Sequence, residues 1–170
     1  MIRRFVLASA ILIAAGSAAP AMANTASTDL TVQATVIAGC TISTDPINFG
    51  DYDPIGNHSV NALYATGTVI TTCTSGSSTR ITLDQGVYAD PASTNNAPLR
   101  RLSDGSGNFL SYGLSQNASG SLVWGNDANS DLEVLGTGSA QNNTIYGAIP
   151  PGQLTSVGSY SDTVVATVDF

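Results

Sequence analysis

Gly158-Ser159-Tyr160-Ser161-Asp162-Thr163-Val164-Val165-Ala166-Thr167-Val168-Asp169-Phe170 is the stretch that decides the fold. Val164, Ala166, Val168 and Phe170 fall on alternate positions, the period of a β-strand with one apolar face. Working back from it, similar short runs recur. Thr144 to Ile149 stops at Pro150-Pro151-Gly152. Ser121 to Trp124, Phe109 to Leu114, Arg80 to Leu83 and Val69 to Cys73 are the others, and Leu30, Val32, Ala34 and Val36 alternate with Thr31, Gln33 and Thr35. Turn-rich segments separate these runs: Asp51 to Gly56, Ser75 to Ser78, Asp90 to Pro98, Asp104 to Asn108 and Gly125 to Asp131. No stretch beyond the N-terminal apolar run shows helical periodicity. About seven short strands between such turns predict one all-β domain, an antiparallel β-sandwich.

The N-terminus reads as an export signal. Arg3 and Arg4 precede an apolar run from Phe5 to Ala15, too short to span a bilayer comfortably, and Ala21-Met22-Ala23 is a small-x-small cleavage site. The reading divides the chain into a signal peptide at 1–23 and a mature chain from Asn24. That chain keeps three arginines and no lysine against twelve acidic residues, a net charge of −9. Such a balance argues against nucleic acid and anionic membrane surfaces as partners. Cys40 and Cys73, both exported, read as a disulfide, with two free buried thiols as the alternative. The single histidine, His58, offers too few companions for a zinc site.

Both ends of the mature chain are unusual. The first apolar strand follows the polar segment Asn24 to Asp29, and the last runs out at Phe170 with nothing after it to cover its edge. The pattern allows two arrangements. Either both strands complete one sandwich within a subunit, or the N-terminal strand of a neighbour fills the place of a missing final strand, a head-to-tail contact that makes a filament.

The sequence resembles the spore coat protein U domain family, which includes subunits of archaic chaperone–usher pili. The resemblance is carried, in order, by Gly39-Cys40, Asn48-Phe49-Gly50-Asp51-Tyr52-Asp53-Pro54, Thr72-Cys73-Thr74, Ile81-Thr82-Leu83-Asp84-Gln85-Gly86, Arg100-Arg101-Leu102, Leu110-Ser111-Tyr112-Gly113-Leu114, Val123-Trp124-Gly125, Tyr146-Gly147-Ala148-Ile149-Pro150-Pro151-Gly152-Gln153, and Gly158 to Val168. It implies an incomplete immunoglobulin-like β-sandwich with a six-stranded core, completed by a donor strand from a neighbouring subunit. Residues 24–36 would be that donor extension, with Leu30, Val32 and Ala34 filling pockets, and 37–170 the sandwich domain. The C-terminal strand, through Val164, Ala166, Val168 and Phe170, would pair with a periplasmic chaperone, and the Phe170 carboxylate would meet basic chaperone groups. An outer-membrane usher would exchange the chaperone for the next pilin, giving an extracellular pilus that supports adhesion and biofilm formation. Ala166 is smaller than the β-branched residue usual at that place, a difference of roughly 1 kcal/mol of burial.

No enzyme is expected and no cofactor is implied. Asp127, Asn129, Asp131 and Glu133 imitate the start of a calcium loop, but Leu132 stands where a glycine is needed and Gly138 where a glutamate is. Asp51 and Asp53 before Pro54 read as a turn, His58 as an exposed turn histidine, Trp124 as core, and Arg100-Arg101 as a structural ion pair or a surface pair. A self-contained secreted lectin-like module is the alternative function.

Overall fold

A computed structural model describes Met22 and residues 24–170; the expected leader, apart from Met22, lies outside the described residues. The chain divides between Thr35 and Val36 into two units. Within the first, residues 24–35 carry no helix or strand, and Leu30 and Val32 are exposed. No helix among the described residues is long and apolar enough to cross a membrane.

The second unit is all-β, with eight strands: β1 (Cys40–Asp45), β2 (Leu63–Cys73), β3 (Ser78–Leu83), β4 (Arg100–Ser103), β5 (Phe109–Ser115), β6 (Leu132–Leu135), β7 (Ala140–Ile149) and β8 (Ala166–Asp169). They form a five-stranded sheet in the order β1-β2-β7-β5-β4 and a three-stranded sheet in the order β6-β3-β8. Every named pair is antiparallel. The six-stranded core expected from the resemblance is therefore an underestimate. Ser121 to Trp124 is not a strand but a single bridge, Ser115 to Val123.

Alternation produces the core. Val69, Thr71 and Cys73 of β2, Leu110, Tyr112 and Leu114 of β5, and Ile145 and Ile149 of β7 turn inward from the larger sheet to meet Ile81 and Leu83 of β3. These β-branched and large apolar side chains suit a pleated, half-buried surface. Trp124 is wholly buried and its indole N–H donates to the Ile81 carbonyl at 2.9 Å.

Arg100 is the second buried anchor and is 1 % exposed. It stands on β4, yet its Nε donates to the Asp84 carbonyl (2.8 Å) and its Nη2 to the carbonyls of Leu83 (3.0 Å), Asp84 (2.6 Å) and Trp124 (2.9 Å). It is neither an ion pair nor a surface group; it braces the end of β3 from β4. The reason is geometric: a planar fork of five donors can satisfy several carbonyls at once. Arg101 behaves differently, reaching the Tyr88 and Ala89 carbonyls, pairing with Asp90 at 3.3 Å and lying 4.2 Å over the Phe109 ring.

Cys40 and Cys73 form a disulfide between directly opposed residues of β1 and β2, with Cα atoms 4.1 Å apart. His58 is buried, not exposed. Its Nδ1 accepts the Asp53 N–H at 2.9 Å, and its ring stacks on Tyr52 with centroids 5.1 Å apart.

Candidate functional site

The C-terminal stretch is more extended than β8 alone. Val168 faces Ile81 and Ala166 faces Leu83. The Asp84 N–H donates to the Val165 carbonyl at 3.0 Å, and the Val87 N–H to the Thr163 carbonyl at 3.2 Å. Ser161 exchanges both main-chain hydrogen bonds with Ser103 of β4, each at 2.9 Å. These main-chain bonds use the odd-numbered residues Ser161, Thr163 and Val165, and Thr167 and Asp169 continue the same alternation opposite Thr82 and Arg80. Main-chain groups alternate sides along a strand, so the N–H and C=O groups of Val164, Ala166 and Val168 point to the opposite edge. One edge of this strand is thus bonded from end to end, and the other faces away from β3.

From Ser161 to Ala166 that other edge borders a cleft of about 880 Å³, and beyond it β8 comes close to β1. Val164 and Ala166 stand on one wall, and Ile47 and Phe49, from the segment that follows β1, on the other. The floor is lined by the buried core residues Leu83, Leu110, Leu114, Ile145 and Ile149 and by half-buried Leu102. Val164, Ala166 and Val168 are half-buried, while Val165, Thr167 and Asp169 are exposed. Phe170, placed on the same face by the alternation of the sequence, is exposed.

Two glycines let the far wall form. A Cβ on Gly147 would lie 2.8 Å from Phe49 Cζ, and one on Gly67 would lie 2.6 Å from Ile47 Cγ1. Both glycines are buried on the inner face of β7 and β2, so the segment after Asp45 crosses that face in contact with bare backbone. Phe49 then meets Tyr112 edge-on, with centroids 6.2 Å apart.

Polar side chains share this lining, Asp45, Asn48, Asp51, Ser161 and Asp162 among them, and Asp162 is the most heavily bonded of these. The Tyr112 hydroxyl donates to Asp162 Oδ2 at 2.7 Å, while Asp162 Oδ1 accepts the N–H groups of Val87 (2.9 Å), Tyr88 (3.3 Å) and Thr163 (2.8 Å). Burial, and then the Asp162 carboxylate, push the Tyr112 phenol far above its usual range, so it stays a donor. Burial lowers the Arg100 pKa from the ordinary guanidinium value, opposed by Tyr112, Asp84 and Asp162. Because Arg100 occupies the Asp84 carbonyl, the Val165 N–H turns to the Asp84 side chain instead, at 2.9 Å. The brace and the C-terminal strand are therefore joined through one residue.

In the turn that follows Ile47 and Phe49, Asp53 accepts the N–H groups of Gly56 (2.8 Å) and Ile55 (3.1 Å), which hold its carboxyl below the usual range. The Tyr52 hydroxyl donates to the Pro150 carbonyl at 2.9 Å and accepts the Gln153 N–H at 3.0 Å. Asp127 Oδ1 is spent on the Asn129 N–H and the Ser130 hydroxyl, and Asp131 pairs with Arg80. Among the described residues no cluster of three or more histidine, cysteine or acidic side chains could hold a metal.

The arrangement is a cleft with a partly apolar lining beside a main-chain edge that no other named strand pairs with. The sequence pointed to its C-terminal wall but not to Ile47, Phe49, Tyr112 or Asp162. For Phe49, Tyr112 and Asp162 the signal was their place inside the motifs shared with the resembled family, and Ile47 lies just outside those motifs.

Comparison with known proteins agrees with this architecture. A solved chain from a chaperone–tip adhesion subunit pre-assembly complex of archaic chaperone–usher Csu pili of Acinetobacter baumannii superposes with a TM-score of 0.55 at 22 % identity, over 80 % of this chain and 40 % of that one. Protein U of Myxococcus xanthus is 39 % identical over 158 residues, 89 % of this chain and 88 % of that protein. The family model for the Spore Coat Protein U domain matches residues 26–167, and the chain belongs to that family.

Proposed function

We propose that the cleft accepts a β-strand, that this strand is the segment 24–36 of a second copy, and that the protein is a polymerising subunit of an archaic chaperone–usher pilus. The observation that carries the reading is the C-terminal strand, bonded on one edge to β3 and β4 while its other edge, from Ser161 to Ala166, lies along a partly apolar cleft. Segment 24–36 has the matching form. Leu30, Val32 and Val36 alternate and are 84–86 % exposed, with Ala34 between them. Burying three such side chains contributes roughly 5–9 kcal/mol before ordering costs, and new main-chain hydrogen bonds remove the free edge.

The polymer is head-to-tail, because a subunit that gives its segment to one neighbour receives one from another. Before assembly the same edge, with Val164, Ala166 and Val168, pairs with a periplasmic chaperone, and the Phe170 carboxylate meets basic chaperone groups. An outer-membrane usher then exchanges chaperone for subunit, and the filament is displayed outside the cell, where it supports adhesion and biofilm formation. A sugar-binding module finds less support, since the sole tryptophan is buried and its N–H is already bonded.

The test compares the chain from Asn24 with one starting at Val36, both with the disulfide formed. Size exclusion and unheated detergent gels should show ladders for the longer chain and none for the shorter. Two equally stable monomers would refute the reading.

A further inference from the structure

The start of β1 does more than begin a sheet. Its register with β2 continues beyond the disulfide: the Thr74 N–H donates to the Gly39 carbonyl at 2.9 Å, one step past the Cys40–Cys73 pair. The Thr74 hydroxyl reaches the Gly39 carbonyl at 3.3 Å and the Ile37 carbonyl at 3.4 Å. Residues 37–39 are thus held on the line of β1, and the covalent bridge fixes the next residue.

That line has a direction. β1 runs from Cys40 toward Asp45 and on to the cleft wall at Ile47 and Phe49. Residues 37–39, on the opposite side of Cys40, lead away from that wall. For the preceding segment to enter the cleft of its own subunit, the chain would have to reverse within 37–39 and break its bonds to Thr74. The reversed segment would run antiparallel to β1 and therefore parallel to β8: every step of β1-β2-β7-β5-β4 is antiparallel, so β1 and β4 share a direction, and Ser103 of β4 pairs antiparallel with Ser161 of the C-terminal strand. A parallel pair is the weaker one. A segment from another molecule carries neither restriction.

We propose that Thr74 and the Cys40–Cys73 disulfide form a clamp that prevents self-insertion, so that the cleft takes its strand from a second copy of this chain. This rests on the reading of the cleft as a strand acceptor.

The experiment uses a fluorescent peptide of residues 24–36 and nanomolar protein, where chains stay apart. Four proteins are compared: the chain from Asn24, the chain from Val36, a variant with Gly-Ser-Gly-Ser inserted between Val36 and Ile37, and the triple variant Cys40→Ser, Cys73→Ser, Thr74→Val. The first two should bind the peptide within about two-fold of each other. The insertion and triple variants should bind at least ten-fold more weakly, because slack or loss of the clamp lets their own segment compete. If the triple variant does not fold, the insertion variant alone decides. A wild-type chain already ten-fold weaker than the shortened one, or an insertion variant that binds like wild type, would overturn the clamp and leave the acceptor reading intact. A shortened chain that binds no peptide would overturn the acceptor reading itself.

Discussion

Replacing Arg100 with methionine tests whether the two sheets are braced through main-chain carbonyls. Methionine keeps much of the stem volume and removes every donor. Three carbonyls, those of Leu83, Asp84 and Trp124, lose the guanidinium. Each orphaned buried acceptor costs about 1–3 kcal/mol, so the three cost about 3–9 kcal/mol together. The variant recovers something, since burying a charge is itself costly and Arg100 Nη1 already lacks a partner. The expected net loss is therefore in the lower part of that range, about 3–4 kcal/mol. For a domain of this size that lowers Tm by about 10 °C. Urea unfolding of the oxidised chain from Asn24, at concentrations where it is monomeric, measures the loss. Arg100→Lys keeps the charge without the fork and should fall between the two. A loss below about 1 kcal/mol for Arg100→Met would refute the brace.

Three further outcomes are expected. Reducing the disulfide, or replacing both cysteines with serine, removes a cross-link spanning 33 residues and should lower stability by about 4 kcal/mol in the chain-entropy account, read as a fall in the urea midpoint. Gly147→Ala drives a methyl into Phe49 and should cost about 1–3 kcal/mol, with loss of the ring-current shift that Phe49 and Tyr112 impose on each other in proton NMR. Asp53 has a folded pKa below its ordinary 3.8, so its turn is fully stabilised above that value and loosens as pH falls through the lower, folded pKa; the Gly56 and Ile55 amide resonances should titrate together with a midpoint under 3.8, and a midpoint above it would remove their hydrogen bonds as the cause.

Much of the sandwich was legible because alternation is a local signal. β2, β3, β5, β7 and the C-terminal strand each carry apolar residues at period two. β1 escaped because Cys-Thr-Ile-Ser-Thr-Asp is an edge strand whose residues after Cys40 are all exposed, leaving no apolar face to read. β4 escaped for the opposite reason: its most buried side chain is an arginine, and only carbonyls 16 to 24 residues away explain why it can be there. β6 was hidden by the carboxylates around it, which imitate a calcium loop. His58 looked like a surface turn residue because its partners, the Asp53 amide and the Tyr52 ring, become neighbours only when the turn closes. In the cleft the strand edge was legible, but the opposite wall depends on Gly67 and Gly147, and a glycine in a strand does not announce what will lie across it.

The disulfide has a mechanical consequence. Cys40 is the first residue of β1, and its sulfur is bonded to the last residue of β2, the strand that lies between β1 and β7. Tension applied through residues 37–39 therefore passes by a covalent bond to an interior strand. It does not first peel the six-residue edge strand away one hydrogen bond at a time. A fibre built from such units would carry its pull into the middle of each sheet, and the outermost strand would be spared.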